Sequence, residues 1–193
     1  MTPTQPERSA ATRRALLDAA RALFAERGFA STPREEIVER AGVTRGALHH
    51  HFGRKEALFR AVFEDLEGEI GNRVMAAAVA GADPMTQLRL GCQAFLDAAL
   101  DPAVQRIVLL DAPAVLGWQG WREVEAQHGL GMVTEAIRAV IDAGQIDEQP
   151  VEPLAHIVLA AINEAALLVA GSDDPVATRV TVGETVDRLL SRL

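Results

Sequence analysis

Arg45, Gly46, Ala47, His49 and His50 fall within a single run of six residues, and their types suit a surface that reads hydrogen-bonding edges. An arginine fork matches the O6 and N7 acceptors of guanine, and histidines add ring nitrogens. Glycine and alanine let a backbone approach a partner closely. Arg34 and Lys55 add positive charge on either side. Thr32 and Thr44 each precede a short apolar-periodic run and mark two helix starts, where free N–H groups receive phosphates. The chemistry this set supports is recognition of a DNA duplex. The candidate DNA-binding residues are Thr32, Arg34, Thr44, Arg45, Gly46, Ala47, His49, His50 and Lys55.

Two short helices set against each other by a tight turn would position them. Thr32 is placed to cap the first, with Pro33 in the first turn and Glu35 three residues on to close a capping box. Ile37, Val38 and Ala41 give it an apolar face, and Gly42 supplies the positive φ for the turn. Thr44 then caps the second helix, with Leu48 and Phe52 four apart facing inward. This is the pattern of a helix-turn-helix, although an ordinary corner between two helices has the same outline. A preceding helix over residues 9–27, with Leu16, Ala20, Leu23 and Phe24 at helical spacing and Gly28 as its stop, would cover the inner faces. Residues 1–8 read as a loose arm from which Arg8, together with Arg13 and Arg14, could lie along DNA.

Residues 12–66 resemble the DNA-binding domain of the TetR family of transcriptional regulators and the start of the helix that follows it. The runs that carry the likeness are Ala-Ala-Arg-Ala-Leu-Phe-Ala-Glu-Arg-Gly-Phe at 19–29, Ala-Gly-Val-Thr-Arg-Gly-Ala-Leu at 41–48 and His-Phe-Gly-Arg-Lys-Glu-Ala-Leu at 51–58. His49 stands where that family usually has a phosphate-contacting tyrosine, and Val38 where a smaller alanine is common. The resemblance implies a homodimer, repression as the usual mode, and release from DNA by a small molecule.

Charge is divided along the chain in keeping with this. Residues 1–60 hold 11 Lys/Arg against 7 Asp/Glu, a balance of +4, and residues 61–193 hold 8 against 20, a balance of −12, for the net −8. A basic head on an acidic body favours one docking orientation on a polyanion. The composition, 49% apolar with 4% aromatic, suits a soluble helical protein. A single cysteine, Cys92, excludes an intramolecular disulfide framework. No apolar run reaches the roughly 18 residues of a membrane span, and no signal-peptide core is present, so a cytoplasmic protein is expected.

The remainder reads as all-α, about nine helices in total. A helix of about 40 Å over residues 55–80 links the head, residues 9–54, to an effector-binding and dimerisation domain, residues 55–193. Its apolar stripe is Leu58, Val62, Leu66, Ile70, Val74 and Ala77, and Gly68 and Gly71 are places where it would bend. Asp83-Pro84 starts a helix to about residue 100, a further one meets Pro113, and another spans 118–143. Phe63, Cys92, Phe95, Trp118, Trp121, His128, Met132 and Asn163 are candidates for the lining of a pocket for a small apolar effector, and His156 for a polar contact there or at the dimer seam. Helices at 152–170 and 175–192 form the expected homodimer contact, because the first is apolar around most of its circumference.

No catalytic residues, metal ligands or cofactor are expected. His49, His50 and His51 project about 100° apart along a helix, poorly placed to converge on one ion, and no further histidine or carboxylate at i+4 supports a metal site. Neither a Gly-x-Ser-x-Gly elbow nor a phosphate-binding glycine loop or dinucleotide fingerprint occurs. The rival reading is a helical protein-binding adaptor that does not bind DNA.

Overall fold

The computed structural model describes residues 4–193; the part of the expected arm at residues 1–3 lies outside the described residues. Within them the chain is all-α. The helices are α1 (Gln5–Arg27), α2 (Arg34–Ala41), α3 (Arg45–Phe52), α4 (Lys55–Ala78), α5 (Pro84–Ala98), α6 (Ala112–Glu125), α7 (Gly131–Asp142), α8 (Val151–Ala170) and α9 (Pro175–Leu190). Two π-helical stretches, Val104–Asp111 and Ala126–Leu130, lead into α6 and α7.

Side-chain caps fix several of the starts. Thr44, Asp83 and Asp174 accept from the backbone N–H groups of Ala47 (3.2 Å), Thr86 (3.1 Å) and Ala177 (3.0 Å), each satisfying a donor that a helix start leaves open. Gly42 takes the left-handed conformation, φ 65° and ψ 31°, and ends α2 as expected.

Two starts depart from expectation. α1 begins at Gln5, not near residue 9, because Thr4 and Glu7 form a capping box ahead of it; residues 4–8 are therefore not a loose arm. α2 begins at Arg34 with Pro33 as its N-cap. Thr32 is fully buried, and its hydroxyl donates to the carbonyls of Gly28 (2.8 Å) and Leu23 (3.3 Å). The expected capping box with Glu35 is absent because that hydroxyl closes the end of α1 instead.

Residues 104–130 depart furthest. Pro113 neither ends nor bends a helix, since it sits in the first turn of α6, directly continuous with Val104–Asp111. The break falls at Gly117, φ 70° and ψ 166°. The single helix expected over 118–143 is divided by the π-helical Ala126–Leu130. Each π turn admits an extra residue and shifts the angular phase of everything after it.

Two apolar clusters hold the helices. The first gathers Leu16, Phe24, Ile37, Leu48, Phe59, Phe63 and Leu66 with Ile107 and Val124. Phe59 meets Phe24 and Phe29 edge-on, with ring centroids 5.3 Å and 5.2 Å away. The second cluster gathers Leu96, Ile137, Val140, Val158, Ala166, Val169 and Leu190 from α5, α7, α8 and α9. Phe95 and Leu109 pack on both.

α4 runs unbroken past Gly68 and Gly71. α8 is long and apolar enough to cross a membrane by length and composition, contrary to the expectation that no run reaches that length. One of its faces, from Leu154 to Val169, is built into the second core.

Candidate nucleic-acid interface and effector cavity

The capped start of α3 turns its polar residues outward. Leu48 is buried and Phe52 half-buried against the first core, which leaves Arg45, Gly46, His49 and His50 exposed, with Ala47 half-buried. The Arg45 side chain is 79% exposed, and its nearest acid, Glu35, is 3.9 Å away. So long and exposed a pair holds the guanidinium only weakly. His49 Nδ1 lies 3.2 Å from the Gly53 carbonyl. A carbonyl only accepts, so Nδ1 carries the hydrogen, and Nε2 can donate to a phosphate only as the imidazolium.

Arg34 opens α2 and Arg54 is the N-cap residue of α4; neither start has a side-chain cap. The two arginines, with Lys55 and Glu56, line one shallow depression. Free N–H groups and guanidinium groups together suit a phosphate. Arg54 was not among the expected contacts, although it sits inside the run His-Phe-Gly-Arg-Lys-Glu; its place as an N-cap was the available signal.

Two of the expected contacts do other work. Thr32 is buried, as described, so its hydroxyl does not reach a duplex. Lys55 Nζ donates to the carbonyls of Phe29 (2.8 Å) and Thr32 (2.9 Å) and lies 4.1 Å from the Phe29 ring centroid. Burial lowers its pKa. Lys55 is thus a clamp on the loop between α1 and α2 and not an open phosphate contact. Arg13 lies over the Phe52 ring and Arg14 pairs with Asp18 and Asp65, so neither is held out along DNA.

The same loop is held from its other side. The Phe29 N–H donates to Asp111 Oδ2 at 2.6 Å, and Arg106 Nε lies 3.3 Å from Asp111 Oδ1. Asp111 ends the π-helical Val104–Asp111, so a residue far along the chain fixes the backbone that leads into α2.

A cavity of about 500 Å³ opens between α4, α5, α7 and α8, within the size range of small-molecule sites. Of the residues proposed for a pocket lining, Cys92, Phe95 and Met132 face this cavity. Burial pushes the Cys92 thiol up to about 12, so it serves as a small apolar wall.

The other expected lining residues are elsewhere. Phe63 is fully buried in the first core, Trp121 packs against that core, and Trp118 is 70% exposed beyond the turn at Gly117. His128, in the π-helical stretch, is not part of the lining. Asn163 donates to the Glu125 carboxylate, which Arg122 also contacts at 2.8 Å, and the Arg122 guanidinium reaches His156 Nδ1 at 3.3 Å.

Sequence patterning did not point to Glu67. It lies four residues after Phe63 and four before Gly71, half-buried on a row of α4, and it lines the cavity. Burial, reinforced by the charge of Glu125, raises its carboxyl to about 7.

Residues 16–62 match the family described as bacterial regulatory proteins, tetR family, and residues 85–193 match the tetracyclin repressor-like C-terminal domain. The HTH-type transcriptional regulator AcrR of Shigella flexneri is 42% identical over 79 residues, 40% of this chain and 37% of AcrR. That match therefore spans little more than a third of AcrR. The Transposon Tn10 TetC protein of Escherichia coli is 26% identical over 149 residues, 74% of this chain and 72% of that one. The crystal structure of a TetR-family transcriptional regulator from Pectobacterium atrosepticum is similar at TM-score 0.84 and 36% identity, covering 97% of this chain and 96% of that one.

Proposed function

The chain belongs to the TetR family of transcriptional regulators, and from that premise we propose that it is a cytoplasmic repressor that binds a palindromic operator as a homodimer. A small molecule entering the cavity releases it. The observation that carries the reading is the outward face of α3, where Arg45, Gly46, His49 and His50 stand exposed beside Arg34 and Arg54. Residues 9–54 are the reading head and residues 55–193 the effector-binding and dimerisation unit.

In this reading α3 lies in the major groove with its N-terminal end toward the bases. Arg45 forks onto a guanine, Gly46 and Ala47 allow close approach, and the starts of α2 and α4 hold phosphates on either side. One head contacts few base pairs, so affinity and specificity need two, related by a two-fold axis and about 34–36 Å apart.

The outer faces of α8 and α9 support the pairing. Ile157 is 66% exposed and Val176 67%, and Leu168, Val180 and Leu189 are exposed beside them. An apolar surface of that kind is the mark of a protein contact. Release follows if the effector prefers a different spacing of the heads. α4 spans the distance, with Lys55 at the head and Gly71, Val74 and Met75 in the cavity wall.

A gel shift with DNA fragments flanking the protein's own gene tests this. Expected is a fragment-specific complex that survives physiological salt. Weak binding to every fragment, lost as salt is raised, would favour the adaptor reading instead.

A further inference from the structure

The cavity is charged in only one sense. Among its lining residues are two acids, Glu67 and Glu135, and no lysine, arginine or histidine. Glu135 is exposed and paired with Arg138. Gln87, the other polar side chain of the wall, donates its amide to the Gly81 carbonyl. The walls are otherwise Ile70, Val74, Leu88, Phe95, Met132, Leu159 and similar apolar groups.

Glu67 differs from every other acid in the interior. Glu125 is held by Arg122 and Asn163; Glu67 has no hydrogen bond or ion pair among the described residues. Among the described residues no enclosed side-chain oxygen or nitrogen lacks a partner, so the Glu67 oxygens are open to solvent, and Glu67 is part of the cavity lining. A carboxylate against apolar walls, with Glu125 as its neighbouring charge, is strongly disfavoured unless a proton or a cation meets it. We infer that the effector is an amphiphilic organic cation, an alkyl- or arylammonium whose charged nitrogen sits on Glu67 and whose apolar body fills the space between α4, α5, α7 and α8. An anionic amphiphile would bring a second negative charge against Glu67 and find no cation in the wall. A neutral one would offer at most a hydrogen bond and no charge to balance the carboxylate.

The inference rests on reading this cavity as the effector site, and the test separates the two. Decylammonium, decanol and decanoate, identical in their apolar chain and kept below micelle-forming concentrations, are titrated calorimetrically at pH 8 into the full-length protein, Glu67→Gln and Gly71→Leu. A side chain at Gly71 projects toward Met132 and takes up cavity space. Expected in the wild type is decylammonium tighter than decanol by roughly tenfold or more, with decanoate weakest. Glu67→Gln should bring decylammonium down to the level of decanol, and Gly71→Leu should weaken both. Decanoate binding as well as decylammonium, or a Glu67→Gln protein that keeps the ammonium preference, overturns the cation while leaving the cavity in place. Probes that bind Gly71→Leu as well as wild type, or none binding at all, overturn the effector site and the cation with it.

Discussion

Arg45 and Glu67 are ionisable side chains left without a firm partner, one at an exposed helix start and the other in a cavity wall. For Arg45 the consequence is specificity. Arg45→Ala should weaken operator binding by roughly 1–3 kcal/mol and relax preference at one base-pair position. Equal loss on operator and random DNA in a filter-binding titration would make it a phosphate contact only.

For Glu67 the consequence is a pH dependence. Its carboxyl stands at about 7 in the folded protein against 4.5 unperturbed, so the folded state binds a proton that the unfolded chain has already released. Stability is therefore lost as pH rises from about 4.5 to 7, and the full penalty, about 3 kcal/mol, applies above that. The groups around it do not relieve this. α6 supplies Glu125, α7 the paired Glu135, α5 the neutral Cys92, and α8 only Leu159 and Ile162. Glu67→Gln should melt higher than wild type at pH 8, with the difference closing toward pH 5; a gap independent of pH would contradict the assignment.

Among the elements, the loop between α1 and α2 connects the two parts of the molecule. Lys55 holds its carbonyls and Asp111 holds the Phe29 N–H. Asp111→Ala leaves that N–H and the Arg106 guanidinium unmet, which should cost about 1–3 kcal/mol. Amide exchange across residues 28–32 should quicken while α8 and α9 stay as protected as before. Unchanged exchange at Phe29 would show that the contact transmits nothing.

The elements also show why some positions were legible in the sequence and others were not. Thr44, Gly42, Asp83-Pro84 and Asp174-Pro175 act through local chemistry, and their helix boundaries stand where the residues imply. The exposed set on α3 follows from its cap and from Leu48 and Phe52. Trp118, Trp121 and His128 lie away from the cavity because the π-helical turns and Gly117 reset the phase of the chain, and no residue pattern announces a π turn. Thr32 and Lys55 have the right types for a phosphate, but tertiary carbonyls claim them first.

For the whole molecule, two cores joined by α4 leave an apolar outer face on α8 and α9 that one chain cannot cover. Ile157→Glu combined with Leu168→Glu places two charges on that face without touching either core. Sedimentation should then show monomers at micromolar concentration with operator binding lost; a persistent dimer would put the contact elsewhere.

The measurement that bears most directly on the account is selection of bound sequences from random DNA by the full-length protein. Expected is an inverted repeat whose half-sites lie about one helical turn apart, or a multiple of it, with one position in each half losing its preference in Arg45→Ala. Enrichment of no sequence, or of a lone half-site without its inverted mate, would contradict a paired reading of the duplex by α3.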